Sequence, residues 1–196
     1  MKSSYLRAGA ALACALTLTA CGGSDGDLVV GGSFSGVTKT GLVLQNNGGA
    51  DLAVTPTGNG QGSFYFPDLV ETDSSYNVTI KSIPTNVEKC EAFQNTGKVA
   101  FNITNIGIVC TIRTHELKGT VTGLVGNNLV LVNGADKVAV AAGATAFSMA
   151  KVSEDAPYGV AILTQPDNQT CTVANGSGIV GQAAVTNVAV TCGPRT

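Results

Sequence analysis

The sequence contains no tryptophan and one histidine, and only 12% of its 196 residues are charged. Its lysines and arginines form no basic run, which excludes nucleic-acid binding through phosphate neutralisation. With so little histidine and no C-x-x-C motif, a zinc site is disfavoured. Sugar-binding β-sandwiches usually present Trp or Tyr platforms, and this sequence has no tryptophan. After the first residues there is no apolar segment long enough to cross a membrane as a helix.

The one histidine, His115, lies beside Arg113 and Glu116 near the middle of the chain. A catalytic triad would need this histidine to face a nucleophile and a carboxylate, and no G-x-S-x-G nucleophile elbow is present. We therefore interpret His115 as a solvated surface residue.

Two pairs of acidic residues occur, Asp25 with Asp27 and Glu154 with Asp155. Paired carboxylates can hydrolyse glycosides, and the "SDGD" stretch could bind calcium, although it lacks the usual ladder of ligands. We interpret both pairs as solvated loop charges. The sequence therefore predicts no enzyme, no catalytic residue, no metal site and no cofactor.

The first 20 residues have the pattern of a secretory signal peptide. Lys2 and Arg7 precede a short apolar run that extends to Leu18, and this run is shorter than the roughly 20 residues that a membrane-spanning helix needs. The residues Leu18-Thr19-Ala20-Cys21 resemble the lipobox of bacterial lipoproteins. The resemblance implies that Cys21 is acylated and becomes the first mature residue. The alternative is an ordinary cleaved signal with a spare cysteine.

The resemblance also implies a location. Bacterial lipoproteins carry three acyl chains, which agrees with the need for more than one hydrophobic signal in stable anchoring. Gly22, which follows Cys21, is not the aspartate associated with inner-membrane retention, so the outer membrane is favoured in a Gram-negative cell. Residues 21–29 are glycine-rich and polar and are predicted to form a flexible tether. Loss of Lys2 and Arg7 would leave nine basic residues against 13 acidic ones.

The rest of the chain contains one segment written twice. "SGVTKTGLVLQNNGGADLAV" from Ser35 aligns with "TGLVGNNLVLVNGADKVAV" from Thr122. The aligned positions share residue type, and they are Gly36 with Gly123, Leu42 with Leu129, Leu44 with Leu131, Asn46 with Asn133, Phe64 with Phe147, Tyr76 with Tyr158, and Pro84 with Pro166. A module of about 80 residues is therefore predicted to be duplicated.

Each copy has the pattern of short β-strands. In "SFYFPDL", Phe64 and Phe66 alternate with Tyr65, which places the two phenylalanines on one face and predicts an exposed tyrosine. Tyr65 aligns with Ser148, so this aromatic is not shared. The predicted cores consist of alternating apolar residues: Leu42, Leu44, Phe64, Tyr76, Val78 and Ile80 in the first copy, and Leu129, Leu131, Phe147, Tyr158, Val160 and Ile162 in the second.

Several short strands separated by Asn- and Gly-containing turns are typical of a small β-sandwich. The order of strand motifs resembles the prealbumin-like sandwiches of carboxypeptidase regulatory domains, and the cysteine-bearing ends resemble tandem repeats in bacterial lipoproteins. The predicted fold is all-β, with two tandem Ig-like/prealbumin-like sandwiches at 30–112 and 117–196. Residues 111–116 are predicted to form a tight linker.

Four cysteines recur at corresponding places, namely Cys90, Cys110, Cys171 and Cys192. In a secreted chain an even set of cysteines indicates disulfides, and four cysteines allow three connectivities. The repeat favours Cys90–Cys110 and Cys171–Cys192, because each copy would then close its own bond.

Two interpretations of function remain. The first is a non-catalytic envelope lipoprotein that acts as a spacer, an adhesin-like stalk or a structural part of the envelope. The second is a binding module for a carbohydrate, a peptide or a partner protein. An exposed strand edge would favour binding, whereas polar and bulged edges would favour the spacer.

Overall fold

The computed structural model describes residues 28–195, and all the regular secondary structure within that range is β-strand. The predicted signal peptide, Cys21 and residues 22–27 of the predicted tether lie outside the described residues. Within the described range, no helix has the length and apolar character needed to cross a membrane.

The first sandwich consists of eight strands: β1 (Val30–Ser35), β2 (Val43–Asn46), β3 (Leu52–Ala53), β4 (Gly62–Tyr65), β5 (Ser75–Ser82), β6 (Val87–Phe93), β7 (Thr96–Lys98) and β8 (Ile103–Ile112). They form two four-stranded sheets, in the orders β4-β1-β8-β6 and β3-β2-β5-β7. β1 and β8 are parallel neighbours, and the other pairs are antiparallel.

The second sandwich repeats this arrangement with β9 (Thr114–Thr122), β10 (Leu129–Asn133), β11 (Asp136–Val140), β12 (Ala146–Ser153), β13 (Pro157–Thr164), β14 (Gln169–Ala174), β15 (Ser177–Ile179) and β16 (Val185–Pro194). Its sheets have the orders β12-β9-β16-β14 and β11-β10-β13-β15. Each strand thus takes the place of the strand eight positions earlier. The predicted fold class, all-β with two tandem sandwiches, is confirmed.

The two sandwiches have separate hydrophobic cores, because each sheet pair buries its own alternating apolar residues. Five of the predicted core residues are buried in the first core: Leu42, Leu44, Phe64, Tyr76 and Val78. Four are buried in the second core: Leu129, Leu131, Phe147 and Val160. Ile80 is partly buried and packs against the first core. Tyr158 and Ile162 also pack against the second core from partly buried positions. Phe64 and Phe66 meet edge to face, with ring centroids 6.1 Å apart.

Each sandwich contains one disulfide bond, Cys90–Cys110 in the first and Cys171–Cys192 in the second. These are the two pairs that the sequence repeat favoured. Both bonds connect directly paired residues on the long final strand and the neighbouring edge strand of the same sheet. In the chain-entropy account, a loop of this length contributes about 3 kcal/mol. That contribution matters in a unit this small, whose core alone gives marginal stability.

The first described residues fall within the predicted tether. Leu28 and Val70 form a β-bridge in which each backbone N–H donates to the other's carbonyl oxygen, at 3.2 and 2.8 Å. The N–H of Val29 donates to Oδ1 of Asn102 at 3.1 Å. These bonds fix the last two residues of the segment 21–29, so the prediction of a flexible tether was wrong for them.

The connection between the sandwiches is shorter than the predicted linker at 111–116. β8 continues to Ile112 and β9 begins at Thr114, which leaves Arg113 as the one residue between them. Both strands continue up to the connection, so the residues on either side of it remain paired in their sheets. His115 and Glu116 therefore belong to a strand of the second sandwich.

Candidate functional site

At the junction between the sandwiches, the backbone N–H and the backbone carbonyl of Arg113 both form hydrogen bonds. Its N–H donates to the carbonyl oxygen of Asn86 in the first sandwich, at 2.9 Å. Its carbonyl oxygen accepts the N–H of Glu154 in the second sandwich, at 2.8 Å. The pairing of Val87 with Ile112 precedes this point, and the pairing of Ser153 with Thr114 follows it. The connecting residue is thus hydrogen bonded to both units.

Side chains reinforce this connection across the gap. Lys39 Nζ of the first sandwich lies 2.8 Å from the carboxylate of Asp155 in the second. Asn86 Nδ2 donates to Asp155 Oδ2 at 3.1 Å and to Thr38 Oγ1 at 3.0 Å. The Arg113 guanidinium donates to the carbonyl of Thr85. Asn86 is fully buried, so the Asn86 end of its bond to Asp155 is removed from water, while the Asp155 end is partly exposed.

Asp155 is positioned by the backbone of its own turn. Its φ of 66° is in the left-handed region, which aspartate tolerates better than most residues. Its N–H donates to the carbonyl of Val180 at 2.8 Å. The turn therefore presents the carboxylate to Lys39 and Asn86 from a fixed backbone.

Two residues that the sequence assigned to solvent are instead part of this junction. The side chain of Glu154 is 2% exposed and that of His115 is 17% exposed, and His115 Nε2 lies 3.2 Å from Glu154 Oε2. The interpretation of both as solvated groups was wrong, because the pairing of Val152 with His115 brings the end of β12 against the start of β9. Asp155 is more exposed, at 38%, but it is engaged by Lys39.

The buried polar cluster has unused acceptors. Glu154 Oε1 and Asn86 Oδ1 are buried and have no hydrogen-bond partner. A buried carboxylate depends on the few donors that reach it, and His115 is the side chain that contacts Glu154 here. Removal of that contact would leave both carboxylate oxygens without a side-chain donor.

The junction does not have the geometry of a catalytic centre. Among residues 28–195, no nucleophilic side chain is hydrogen bonded to His115, and no three His, Cys, Asp or Glu side chains converge as metal ligands. A cleft of about 450 Å³ lies alongside, bounded by both sandwiches; its lining includes Thr38, Lys39, Gly58, Ile112 and Glu154. The arrangement is suited to holding two units in one orientation.

Ion pairs elsewhere on the surface are exposed and local. The hydrogen bond from Lys118 holds the pKa of Glu116 below its ordinary value, and Lys81 does the same for the pKa of Asp51. Each pair lies within a single sandwich and is screened by solvent. These pairs therefore contribute nothing to the orientation of the two units.

No family model matches the sequence, and no curated protein matches it. Among solved structures, the chain is similar to the Bacillus anthracis TIE protein, with 11% identity and a TM-score of 0.44 over 85% of this chain and 34% of that one. The chain thus spans about a third of that protein. It is also similar to the major pilin T3.2 of Streptococcus pyogenes, with 11% identity and a TM-score of 0.35 over 86% and 97% of the two chains.

Two B repeat units of the collagen-binding protein of Staphylococcus aureus align with 16% identity and a TM-score of 0.31, over 85% of this chain and 49% of that one. All three TM-scores are below 0.5. The function proposed below is therefore based on the sequence and structure of this chain alone.

The His115–Glu154 contact can be tested by replacing His115 with the residue that the first sandwich has at the corresponding position. His115→Leu should lower the free energy of unfolding of the second sandwich by about 1–3 kcal/mol, because Glu154 stays buried without its donor. The corresponding places in the first sandwich are occupied by Leu28 and Thr72: Leu28 pairs with Val70 as His115 pairs with Val152, and Asp73 repeats the turn of Asp155. Urea denaturation measures the effect.

The matched control is the double variant His115→Leu/Glu154→Thr. It should recover most of the lost stability, because removing both polar partners leaves no buried carboxylate. If the double variant were less stable than His115→Leu alone, the buried carboxylate would not be the cause of the loss.

Proposed function

We propose that this chain is a non-catalytic protein of the bacterial envelope, anchored by an acylated Cys21, whose two sandwiches form a stiff spacer. The observation that carries the proposal is the hydrogen bonding of the Arg113 backbone. Its N–H and its carbonyl are bonded to opposite sandwiches. Bending at this residue would break both bonds, and no unbonded residue remains between β8 and β9 to act as a hinge.

The side-chain contacts add resistance to bending. Any large change in orientation would separate Lys39 from Asp155 and would remove the part-buried hydrogen bond between Asn86 and Asp155. Domains joined by flexible polar linkers move independently by default. Here the linker is one residue, and buried polar groups lie on both sides of it, so the two sandwiches are expected to move as one body.

The sheet edges favour the spacer over a module that accepts a partner strand. The edge strands β3, β7 and β15 have only two or three residues. Of the longer edges, β6 and β12 are interrupted by register shifts, between Val87 and Lys89 and between Met149 and Val152, whereas β11 and β14 are paired without one. Short and bulged edges are the devices by which sheets avoid adding strands from other chains.

The anchor is supported by the lipobox-like residues before Cys21. Leu28 lies seven positions after Cys21, a distance along the chain that reaches at most about 25 Å. The first sandwich would therefore lie close to the membrane, and the chain would continue through β8 and β9 into the second sandwich. The outer membrane is the location that Gly22 favours.

The spacer can be tested in liposomes that contain the acylated protein and a lipid-linked acceptor dye. Val125 is 77% exposed and follows the end of β9 that is remote from the junction, so a Val125→Cys variant can be labelled with a donor. Energy transfer should be weak in the intact protein. It should increase when a flexible Gly-Ser insert follows Arg113, because the second sandwich can then approach the bilayer.

The control is the same insert within the turn at Gly134, which leaves the junction unchanged. Equal energy transfer with and without the insert after Arg113 would contradict the proposal that the junction keeps the second sandwich away from the membrane.

A further inference from the structure

The outer face of the sheet β4-β1-β8-β6 carries two exposed aromatic rings. Tyr65 on β4 is 53% exposed and Phe93 on β6 is 50% exposed. The two residues lie on opposite edge strands of one sheet, and the alternation of each strand directs both away from the core. They therefore border the same face from its two sides.

Between the two rings the surface is formed by small residues and is lower than the rings. The register places Ser63, Ser33, Gly107 and Phe93 in one row across the four strands. A Cβ on Gly31 would lie 2.5 Å from Cδ1 of Tyr65, so the tyrosine ring leans inward over that glycine. The same face carries a groove of about 530 Å³ whose lining includes Ser33, Ser35, Gln61, Gly107 and Val109, and the two rings stand outside this lining.

The second sandwich supplies an internal comparison, because its register gives the corresponding residues directly. The row there consists of Ala146, Thr120, Ala189 and Ala174, and Ser148 takes the place of Tyr65. Both aromatic rings and the glycine floor are thus absent from the same face of the second unit. The fold of a sandwich does not require these residues, since its repeated partner is built without them.

We propose that this face of the first sandwich binds a neutral polysaccharide chain, with sugar rings packed against Tyr65 and Phe93. The apolar faces of sugars pack on aromatic rings, and their hydroxyls match the hydroxyls of Ser33 and Ser35 and the amide of Gln61. The groove contains no charged side chain. The nearest charges, Lys89 and Glu91, neutralise each other at 3.0 Å.

A peptide is a poorer fit for the same surface. β1 and β8 lie in the centre of the sheet, and both are paired on either side. Their backbone groups are therefore unavailable for the main-chain bonds by which sheets bind extended peptides. A partner protein bound through charge would also find no complementary group in the groove. Side-chain hydroxyls, an amide and two rings are the groups that remain for recognition.

The proposal does not depend on the spacer, and it can be tested on the full chain in detergent. Affinity electrophoresis would be run through gels containing dextran, laminarin or hydroxyethyl cellulose, with alginate as the anionic comparison. At least one neutral polymer should retard the protein. In the variant Tyr65→Ala/Phe93→Ala the apparent dissociation constant should rise about tenfold or more, since each ring contributes both buried area and specific stacking.

Two further variants separate loss of binding from loss of folding. Leu163→Ala/Ile179→Ala removes two exposed apolar side chains from the second sandwich and should leave the retardation unchanged. Gly107→Val fills the floor of the groove where a Cβ meets nothing closer than 3.8 Å, and it should weaken binding while the stability is kept. Retardation by none of the neutral polymers, by alginate alone, or equally in Tyr65→Ala/Phe93→Ala would overturn the proposal.

Discussion

Replacement of Cys21 by serine is expected to abolish retention of the protein in the membrane. Serine has no thiol to acylate, so the precursor should accumulate unprocessed or the protein should be released in soluble form. The effect is large because stable attachment of a protein through lipid requires more than one acyl chain, and the variant would carry none. Fractionation with labelled palmitate measures it.

Cys14 offers a matched control. It lies in the apolar stretch before the lipobox-like residues, and Cys14→Ser should leave both labelling and retention unchanged. Palmitate that remained on the Cys21→Ser protein would contradict the anchor, whatever the function of the two sandwiches.

The substitution Phe147→Ala should unfold the second sandwich while the first remains folded. Phe147 is buried on β12 and packs against Gly119, where a Cβ would lie 2.7 Å from its ring. Truncation of a buried phenylalanine costs about 3–5 kcal/mol. That is a large part of the 5–15 kcal/mol that stabilises a typical domain. The first core shares no residue with the second, so it should keep its own stability.

Native-state hydrogen exchange gives the readout. Protection should be lost from β9 to β16 and kept in β1 to β8, except at Arg113, whose N–H donates to Asn86 at the junction. Phe93→Ala, which removes an exposed ring of the same type, should change neither half. Loss of protection spread evenly over both halves would mean that the two sandwiches fold as one unit.

Much of the fold could be predicted from the sequence because its signals are local and are repeated. The alternation around Phe64 and Phe66, and its echo at Phe147, directs the same side chains inward in both copies. The spacing of Cys90 and Cys110 recurs at Cys171 and Cys192, which favoured one connectivity among three. A pattern seen twice in one chain constrains the strand order more strongly than either copy alone.

The junction could not be predicted in the same way. Glu154, Asn86 and Lys39 are far apart in sequence, and the contacts of Asn86 and Lys39 with Asp155 form only when the two sandwiches meet. Charged residues in a glycine- and proline-flanked loop are usually solvated, so the sequence pattern pointed away from the structure.

A signal for the junction was nevertheless present in the differences between the copies. His115 falls where the first copy has Leu28, and Glu154 falls where it has Thr72. Both replacements introduce an ionisable group at the end of the second module that adjoins the first. Polar positions that are not shared between repeats thus mark the contact between them.

The groove was missed for a related reason. Tyr65 was expected to be exposed and to lack a counterpart, and the structure shows both. The contribution of Phe93 depends on the register between β6 and β8, which the sequence does not specify. Only that register places the second ring across the floor from the first.

The central claim is that the two sandwiches move as one rigid body, and residual dipolar couplings test it most directly. Backbone N–H couplings of the two sandwiches, measured in one aligned sample, would be fitted separately. A rigid junction at Arg113 predicts the same alignment tensor for both, in magnitude and in orientation. Tensors of clearly different magnitude would mean that the sandwiches reorient independently, and the spacer would have to be abandoned.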